Sequence, residues 1–380
     1  MKEELKSLFK PSFWKIVFVV ITIFGLYSLV IRFMYGLGSS AAINDHFPWG
    51  LWTGLNKLGC VALAGGGFVI CGAVHIFNLE KYKSIVRPTV LVSLLGYLFF
   101  GIALTLDLGL PWRIWHPVIF WNPHSFLFEI AWCVILYLTV LCLEFAPVVL
   151  EKFKMKKLMK FLHFFEIGIV IAGIVLSTLH QSSLGSMFLI TPTKLHPFWY
   201  TIFVPLFFYL SAIGVGLAMI IFTSFMSHRT WGKEINYDIL KGVAKAAACV
   251  FFFYFIMKIY DYSINGVWKY FCEPGGEKWA VLFELVIGVV IPMCMFASSK
   301  VRSSKMLMFI TSLCAIVGVM ANRVNIAITG MTVGGVSGID YVPFYHEIII
   351  SIFLFAWAIV CFALIVKFFP VYDTPKTEHA

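Results

Sequence analysis

The sequence predicts an all-α polytopic membrane protein of about ten transmembrane helices. Three observations carry that reading. Of the 380 residues, 61% are hydrophobic and 13% are charged, against about 45–50% and about 25% in soluble domains. Apolar runs long enough to cross a bilayer, about 20 residues each, recur along the whole chain. Lysine and arginine alternate in density from one connection to the next.

The elements follow in order. The first run, 13–36, stands behind a charged N-terminus without a small-residue cleavage signal and reads as an uncleaved span. The second, 49–78, opens on the loop Asn44-Asp45-His46-Phe47-Pro48-Trp49-Gly50. The third, 88–109, follows Lys81, Lys83 and Arg87, and the fourth, 124–148, follows the Trp- and Pro-rich segment 111–117. The fifth, 162–182, comes after a lysine cluster, and 198–226, 238–261 and 279–299 make the sixth to eighth. The ninth, 303–325, is separated from the eighth by Lys300, Arg302 and Lys305, cations that would be costly at bilayer depth. The tenth is 345–369.

The cations map the topology. Lys2, Lys6, Lys10 and Lys15, the connections at 81–87, 152–160, 229–241 and 300–305, and Lys367 with Lys376 hold twenty of the 29 Lys and Arg. The intervening connections hold only Arg113, Lys194, Lys269 and Lys278. This alternation predicts an even number of spans with both termini in the cytoplasm of the inner membrane. The net charge of +10 is therefore a topology signal rather than a nucleic-acid footprint. The 39 Phe and 12 Trp exclude disorder. Continuous apolar runs argue against a β-barrel, whose strands alternate. The nine cysteines make no C-x-x-C pair, which argues against disulfides, zinc and Fe–S clusters in this chain. No metal ligand is predicted.

Ionisable residues inside spans are costly and become functional candidates. Most fall toward the outer end: Asp107 closing the third span, Glu129 early in the fourth just after His124, and His180-Gln181-Ser182-Ser183 closing the fifth. That polar run is poor helix material and needs partners in protein or water. Lys57, Lys258 and Glu284 fit either ion pairing or a site, and Arg323 and Asn325 end the ninth span. Toward the cytoplasm, Glu144 and Glu166 are expected to snorkel to lysines, near His75 and His163. A glutamate, an aspartate and a histidine at one depth can exchange protons with a membrane-borne substrate, and quinones need such protons. Haem would need paired axial histidines. His124 with His180, or His75 with His163, are the nominal pairs, but His124 starts a loop and the inner pair lies at the surface.

The runs Asn44–Trp52, Arg87–Tyr97 leading to Asp107–Trp112, Trp121–Glu129 and Leu179–Gly185 resemble the NrfD/PsrC superfamily. The resemblance is strongest over 44–186 and leans toward its HybB branch, the membrane subunits of periplasm-facing nickel–iron hydrogenases; Asn322-Arg323-Val324-Asn325 carries it into the second half. It implies two four-helix bundles, roughly 49–182 and 198–325, with flanking helices 13–36 and 345–369. It implies no haem, and a menaquinone pocket near the periplasmic surface beneath a ferredoxin-like [4Fe–4S] subunit. Glu129 would handle protons. His180 would contact the quinone head, with Gln181, Ser182 and Asp107 nearby. Asp45, His46 and Trp49 would face the Fe–S partner. His124 and Arg323 complete the candidate quinone-binding set.

The expected function is a haem-free, quinone-reactive anchor passing electrons between a periplasmic Fe–S subunit, of a Ni–Fe hydrogenase, and menaquinone. The alternative is a proton or solute transporter without a redox partner, for which the Gly65-Gly66-Gly67 interruption would be the feature to explain.

Overall fold

The computed structural model describes residues 12–45, 47–234, 236–331 and 341–372. His46 and nearly all of the Gly-rich stretch 330–338 lie outside the described residues. Among those described, all regular structure is helical, and ten helices are long and apolar enough to span a membrane. They are α1 Phe13–Tyr35, α2 Trp52–His75, α3 Glu80–Asp107, α4 Phe126–Lys152, α5 Lys156–Ile190, α6 Val204–Trp231, α7 Tyr237–Ile264, α8 Glu277–Ala297, α9 Lys305–Thr329 and α10 Tyr345–Phe368. The predicted spans are all present.

Their ends differ from the sequence expectation for a physical reason. Hydropathy marks bilayer depth, not the end of a helix. Helix α5 begins at Lys156 rather than near 162 because lysines are good helix formers outside the apolar slab. At its other end the polar run His180–Ser183 stays helical through Ser186, against expectation. The Ser182 hydroxyl turns back onto the Thr178 carbonyl at 2.9 Å and Ser183 lies 2.8 Å from the Leu179 carbonyl. Such back-bonding satisfies a hydroxyl without leaving the helix.

Helices α2 to α5 touch in a ring, each the next and α5 returning to α2, and α6 to α9 do the same, while α1 and α10 pack on each other and α10 also rests on α2 and α3. The two groups meet where α2 and α5 touch α6, and where α2 touches α9. This seam accounts for the glycine run. A Cβ on Gly66 would come within 2.8 Å of the Gly216 carbonyl oxygen, and one on Gly216 would collide with the Gly65–Gly66 backbone. The backbones can meet only because both positions lack side chains. The turn at Gly65 leaves backbone groups that Ser93 of α3 serves: its hydroxyl donates to the Ala64 carbonyl at 2.5 Å and accepts from the Gly67 N–H at 3.1 Å. The interruption in α2 thus has a packing explanation. Gly288 of α8 and Gly318 of α9 make a second close backbone approach.

Two clasps hold the flanking helices. Arg32 of α1, 1% exposed, donates from Nε to the Leu106 carbonyl at 2.7 Å and from its terminal nitrogen to Leu108, capping the carbonyl end of α3. At the start of α10, Glu347 accepts from the Tyr341 hydroxyl at 2.7 Å, and Trp52 Nε1 donates to the Glu347 carbonyl at 3.1 Å. Helix α2 begins with a π-helical stretch, Trp52–Gly59, and shorter ones occur at Val286–Val290 and Asn325–Thr329. Such segments concentrate at functional sites because they re-aim side chains.

The seam yields a direct test. Gly216→Val should lower stability by about 1–3 kcal/mol or more through overpacking, seen as a lower melting temperature of the detergent-purified protein. Gly101→Ala, whose added methyl would meet nothing within 4 Å, should be neutral or stabilising by up to about 1 kcal/mol.

Candidate functional site

The candidate residues converge at the aromatic end of the first helix group, where α4 and α5 present neighbouring faces. Glu129 stands in the first turn of α4. Ser183 of α5 donates to its Oε1 at 2.6 Å. One turn further in, His180 is completely buried. Its ring packs against Tyr97 and Phe100 of α3, both with centroids 5.4 Å away. Among the described residues, neither imidazole nitrogen has a hydrogen-bond partner. Tyr97 in turn meets Tyr137 of α4 edge-on at 4.5 Å. Gln181 points toward the first turns of the group and donates to the Val61 carbonyl at 3.0 Å.

Below His180 the same feature continues. The Tyr97, Tyr137 and Ser177 hydroxyls and Glu144 Oε2 are buried; Ser177 lies beside both tyrosine hydroxyls and Cys71 beside Glu144, but among the described residues none of these contacts is a well-formed hydrogen bond. Glu144 lies beside Gly173 of α5, where a Cβ would come within 3.1 Å of its Oε1. An orphaned buried polar atom costs about 1–3 kcal/mol, so its presence asks for a donor, an acceptor or bound water. Here several share one column between α3, α4 and α5. The column ends at the basic end in a cavity of about 170 Å³ lined by Cys71, His75, Arg87, Glu144, His163 and Glu166. Glu166 Oε1 is 3.4 Å from His75 Nδ1 and Oε2 is 3.2 Å from His163 Nδ1. Glu144 and Glu166 therefore do not snorkel to lysines as expected. Lys152 of the 152–160 connection lies instead over the Phe369 ring at 4.2 Å.

Asp107 forms a separate unit with α2. It is ion-paired with Lys57 and accepts from the Thr53 hydroxyl at 3.3 Å. Sequence reading left Lys57 open between pairing and a site; it pairs. Trp49 packs edge-on against Phe188 at the end of α5, 4.8 Å between centroids. The Asp45 carbonyl accepts from Lys194 at 2.8 Å, tying the 44–50 loop to the connection after α5. His124 is exposed on the loop before α4. Ser182 is bonded to its own helix. Arg323 sits in the second group, donating to Ser211 at 2.7 Å and stacked over Phe208 at 3.7 Å. The structure thus joins Glu129 with His180 through Ser183 and α5, joins Asp107 with Lys57, and gives Arg323 different neighbours. Sequence reading named Ser183 within the polar run and Tyr97 only as the end of the Arg87–Tyr97 run, and did not single out Tyr137, Ser177 or Glu347. Only the helical spacing of 177, 180 and 183–184 signals that Ser177 shares a face with His180.

The surface above is aromatic. Trp112 and Trp121 are 66% and 67% exposed, and Trp132 Nε1 donates to the Pro117 carbonyl at 2.9 Å, anchoring the 111–125 loop. At the same end, burial and adjoining Glu347 raise the Tyr341 hydroxyl above the ordinary phenol range, so it remains a donor. Burial lowers His196, in the connection before α6, from its ordinary value, with Glu277 and Glu273 opposing.

These features define a polytopic helical membrane protein with a column of buried polar side chains between α3, α4 and α5. Residues 39–334 match the family described as polysulphide reductase, NrfD. The chain belongs to that family. Near-full-length relatives agree. A Nitratidesulfovibrio vulgaris protein is 35% identical over 99% of this chain and 98% of its own. The probable Ni/Fe-hydrogenase 2 b-type cytochrome subunit of Escherichia coli is 29% identical, covering 95% and 94%. The menaquinone reductase integral membrane subunit of N. vulgaris is 26% identical, covering 97% and 94%. The second name raises haem. The nominal pair His124 and His180 does not fit it, since His180 is walled in by rings while His124 is exposed; His75 and His163 each turn Nδ1 to Glu166.

His196 gives a pH test. Its folded-state value lies below the unfolded one, so the unfolded chain binds the proton first as pH falls. Stability should therefore decline below about pH 6.5. His196→Gln should flatten that part of the stability-against-pH curve, measured by thermal unfolding in detergent.

Proposed function

We propose that this chain is the menaquinone-reactive membrane subunit of a multi-subunit oxidoreductase. Electrons pass between a periplasmic ferredoxin-like [4Fe–4S] subunit and the quinone, and a Ni–Fe hydrogenase is the proposed catalytic partner. The relatives' names support quinone and oxidoreductase chemistry, one being a menaquinone reductase subunit and another a hydrogenase subunit. The exposed Trp112 and Trp121 and the anchored 44–50 loop offer the face for the Fe–S subunit. The lysine-rich connections face the cytoplasm, which puts both termini there and the candidate site near the periplasmic surface of the inner membrane.

Reducing a quinone takes two electrons and two protons, which form an O–H bond on each quinone oxygen. The observation that supports the proton role is the run of buried polar groups beneath the Glu129–Ser183 pair, His180, Tyr97, Tyr137, Ser177 and Glu144, which lie along one another without well-formed hydrogen bonds to the rest of the described residues. Glu129 exchanges a proton with the quinone, and the Ser183 hydroxyl orients its carboxyl. His180 relays between Glu129 and the hydroxyls of Tyr97, Tyr137 and Ser177. Glu144 and the Glu166 cavity form the entry from the cytoplasm. Asp107, held by Lys57, fixes the outer end of α3 beside the quinone, with Gln181 holding α5 against α2. The two bundles and flanking helices of the expected domain plan separate this proton column from the second group.

In the purified complex, Glu129→Gln should lower quinone-linked turnover by at least about 100-fold. Reduction of a soluble dye by the catalytic partner should stay unchanged. Unaltered quinone-linked turnover would overturn the proton role of Glu129. Glu144→Gln, reconstituted in vesicles, should slow proton uptake from the side facing the basic connections.

A further inference from the structure

The proposed function makes no use of a groove on the lipid-facing side of α4 and α5 at their basic end. It encloses about 340 Å³ and is lined by Leu143 of α4 and by Phe161, Phe165, Gly168, Ile169 and Ala172 of α5. Its floor is open because Gly168 has no side chain: a Cβ built there meets nothing within 4 Å. Positions 161, 165, 168 and 172 recur every three or four residues, so they share one face of the helix. From Phe161 to Ala172 that face runs about 17 Å at about 1.5 Å per residue. This is the depth of one leaflet, half of a hydrocarbon core about 30 Å thick.

The head of the groove is cationic. Lys157 lies one turn before Phe161 on the same face, with Lys154, Lys156 and Lys160 close to it along the chain. All four are exposed, and among the described residues none of them forms an ion pair. The neighbouring acids are engaged elsewhere: Glu151 holds Arg87 at 2.7 Å, and Glu166 faces His75 and His163. Loop cations mark topology, but the other basic connections do so with fewer, whereas five lysines stand within 152–160. Helix α5 also begins with no acidic residue in its first turn and no side-chain cap. The start of a helix carries partial positive charge, so lysines there are at odds with it until an anion joins them.

An apolar groove one leaflet deep beneath a cationic head matches a phospholipid whose headgroup is negative. We propose that the α4–α5 groove binds an anionic phospholipid from the leaflet at the basic end. One acyl chain lies along Gly168 and Ala172 beside the Phe161 and Phe165 rings, and the phosphate meets Lys157 and Lys160. A zwitterionic lipid would fill the groove equally well but would leave the lysines without net countercharge, so the headgroup makes the choice. The bound chain also reaches the first helix group's interior. Leu143, Leu162 and Ile169 line both this groove and the cavity that holds Glu144, His163 and Glu166, so the chain backs the wall of that cavity on its hydrocarbon side.

The test is native mass spectrometry of the full-length protein in a neutral detergent, with phosphatidylglycerol and phosphatidylethanolamine of identical chains as probes. One phosphatidylglycerol should be retained at concentrations where phosphatidylethanolamine is not. Lys157→Gln with Lys160→Gln should weaken its binding about 30-fold, roughly fivefold for each lysine. Lys300→Gln with Lys305→Gln, which removes the same charge from the α8–α9 connection, should leave it unchanged. Gly168→Leu fills the groove without meeting protein and should abolish retention, while Gly168→Ala should preserve it; both should keep or raise the melting temperature. Equal retention of the two lipids, or equal loss in the two lysine pairs, would reduce the effect to surface charge and overturn the proposal. Undiminished retention in Gly168→Leu would overturn it too, because the lysines would then hold a headgroup or an acidic soluble partner without the groove. Inorganic phosphate should not displace the lipid; displacement would mean that the lysines take the phosphate group alone, and no lipid site exists. None of these outcomes depends on quinone turnover.

Discussion

A hydrocarbon surround offers no hydrogen bonds, and the placing of polar side chains in this protein follows from that constraint. Every polar group below the helix ends has to find a partner on another helix, bend back onto its own, or share water. Lys57 meets Asp107, Arg32 caps the carbonyls that end α3, and Ser182 turns onto Thr178. In the column from Glu129 to Glu144 the Glu129 end is met by Ser183, while His180, the Tyr97 and Tyr137 hydroxyls and Glu144 Oε2 have no well-formed hydrogen bond among the described residues.

Packing then decides which polar groups can meet. The α2–α6 seam is made of backbone against backbone at Gly65, Gly66 and Gly216. Because α2 is drawn in at that point and continues as a π-helical stretch toward the aromatic end, Thr53 and Lys57 reach Asp107 while Asn56 reaches Ser351 of α10 at 3.0 Å. A feature that in isolation suggests the broken helix of a transporter is here a joint between two helix groups. The flanking helices are attached by single buried charges, Arg32 and Glu347, rather than by broad apolar contact alone.

The two groups solve the same electrostatic problem differently. In the first, the outer charges are directly paired and the inner polar atoms are left open. In the second, four buried charges, Lys258, Asp261, Glu284 and Arg323, are kept from one another by Trp199, Asn322, Asn325 and Thr201. Separated charges in a low-dielectric interior respond strongly to a change of charge nearby, whereas paired charges do not.

The spans and the sidedness of the charge were legible from composition and spacing, because both obey one-dimensional rules of apolar length and loop cations. Glu129 and His180 were legible as costly polar residues in apolar runs. Their companions were not. Tyr97, Tyr137 and Ser177 are ordinary residues in helices, and only the meeting of α3, α4 and α5 gathers their hydroxyls into one buried column. Glu144 read as a snorkelling carboxylate because lysines are close in sequence, yet the side chain faces α5 and the cavity instead. Sequence by itself determined how many times the chain crosses and which ends are basic, since those follow from transfer energies of local segments. Which polar atoms find partners was decided by tertiary structure alone, because hydrogen bonds are short and the residues that make them here stand on different helices.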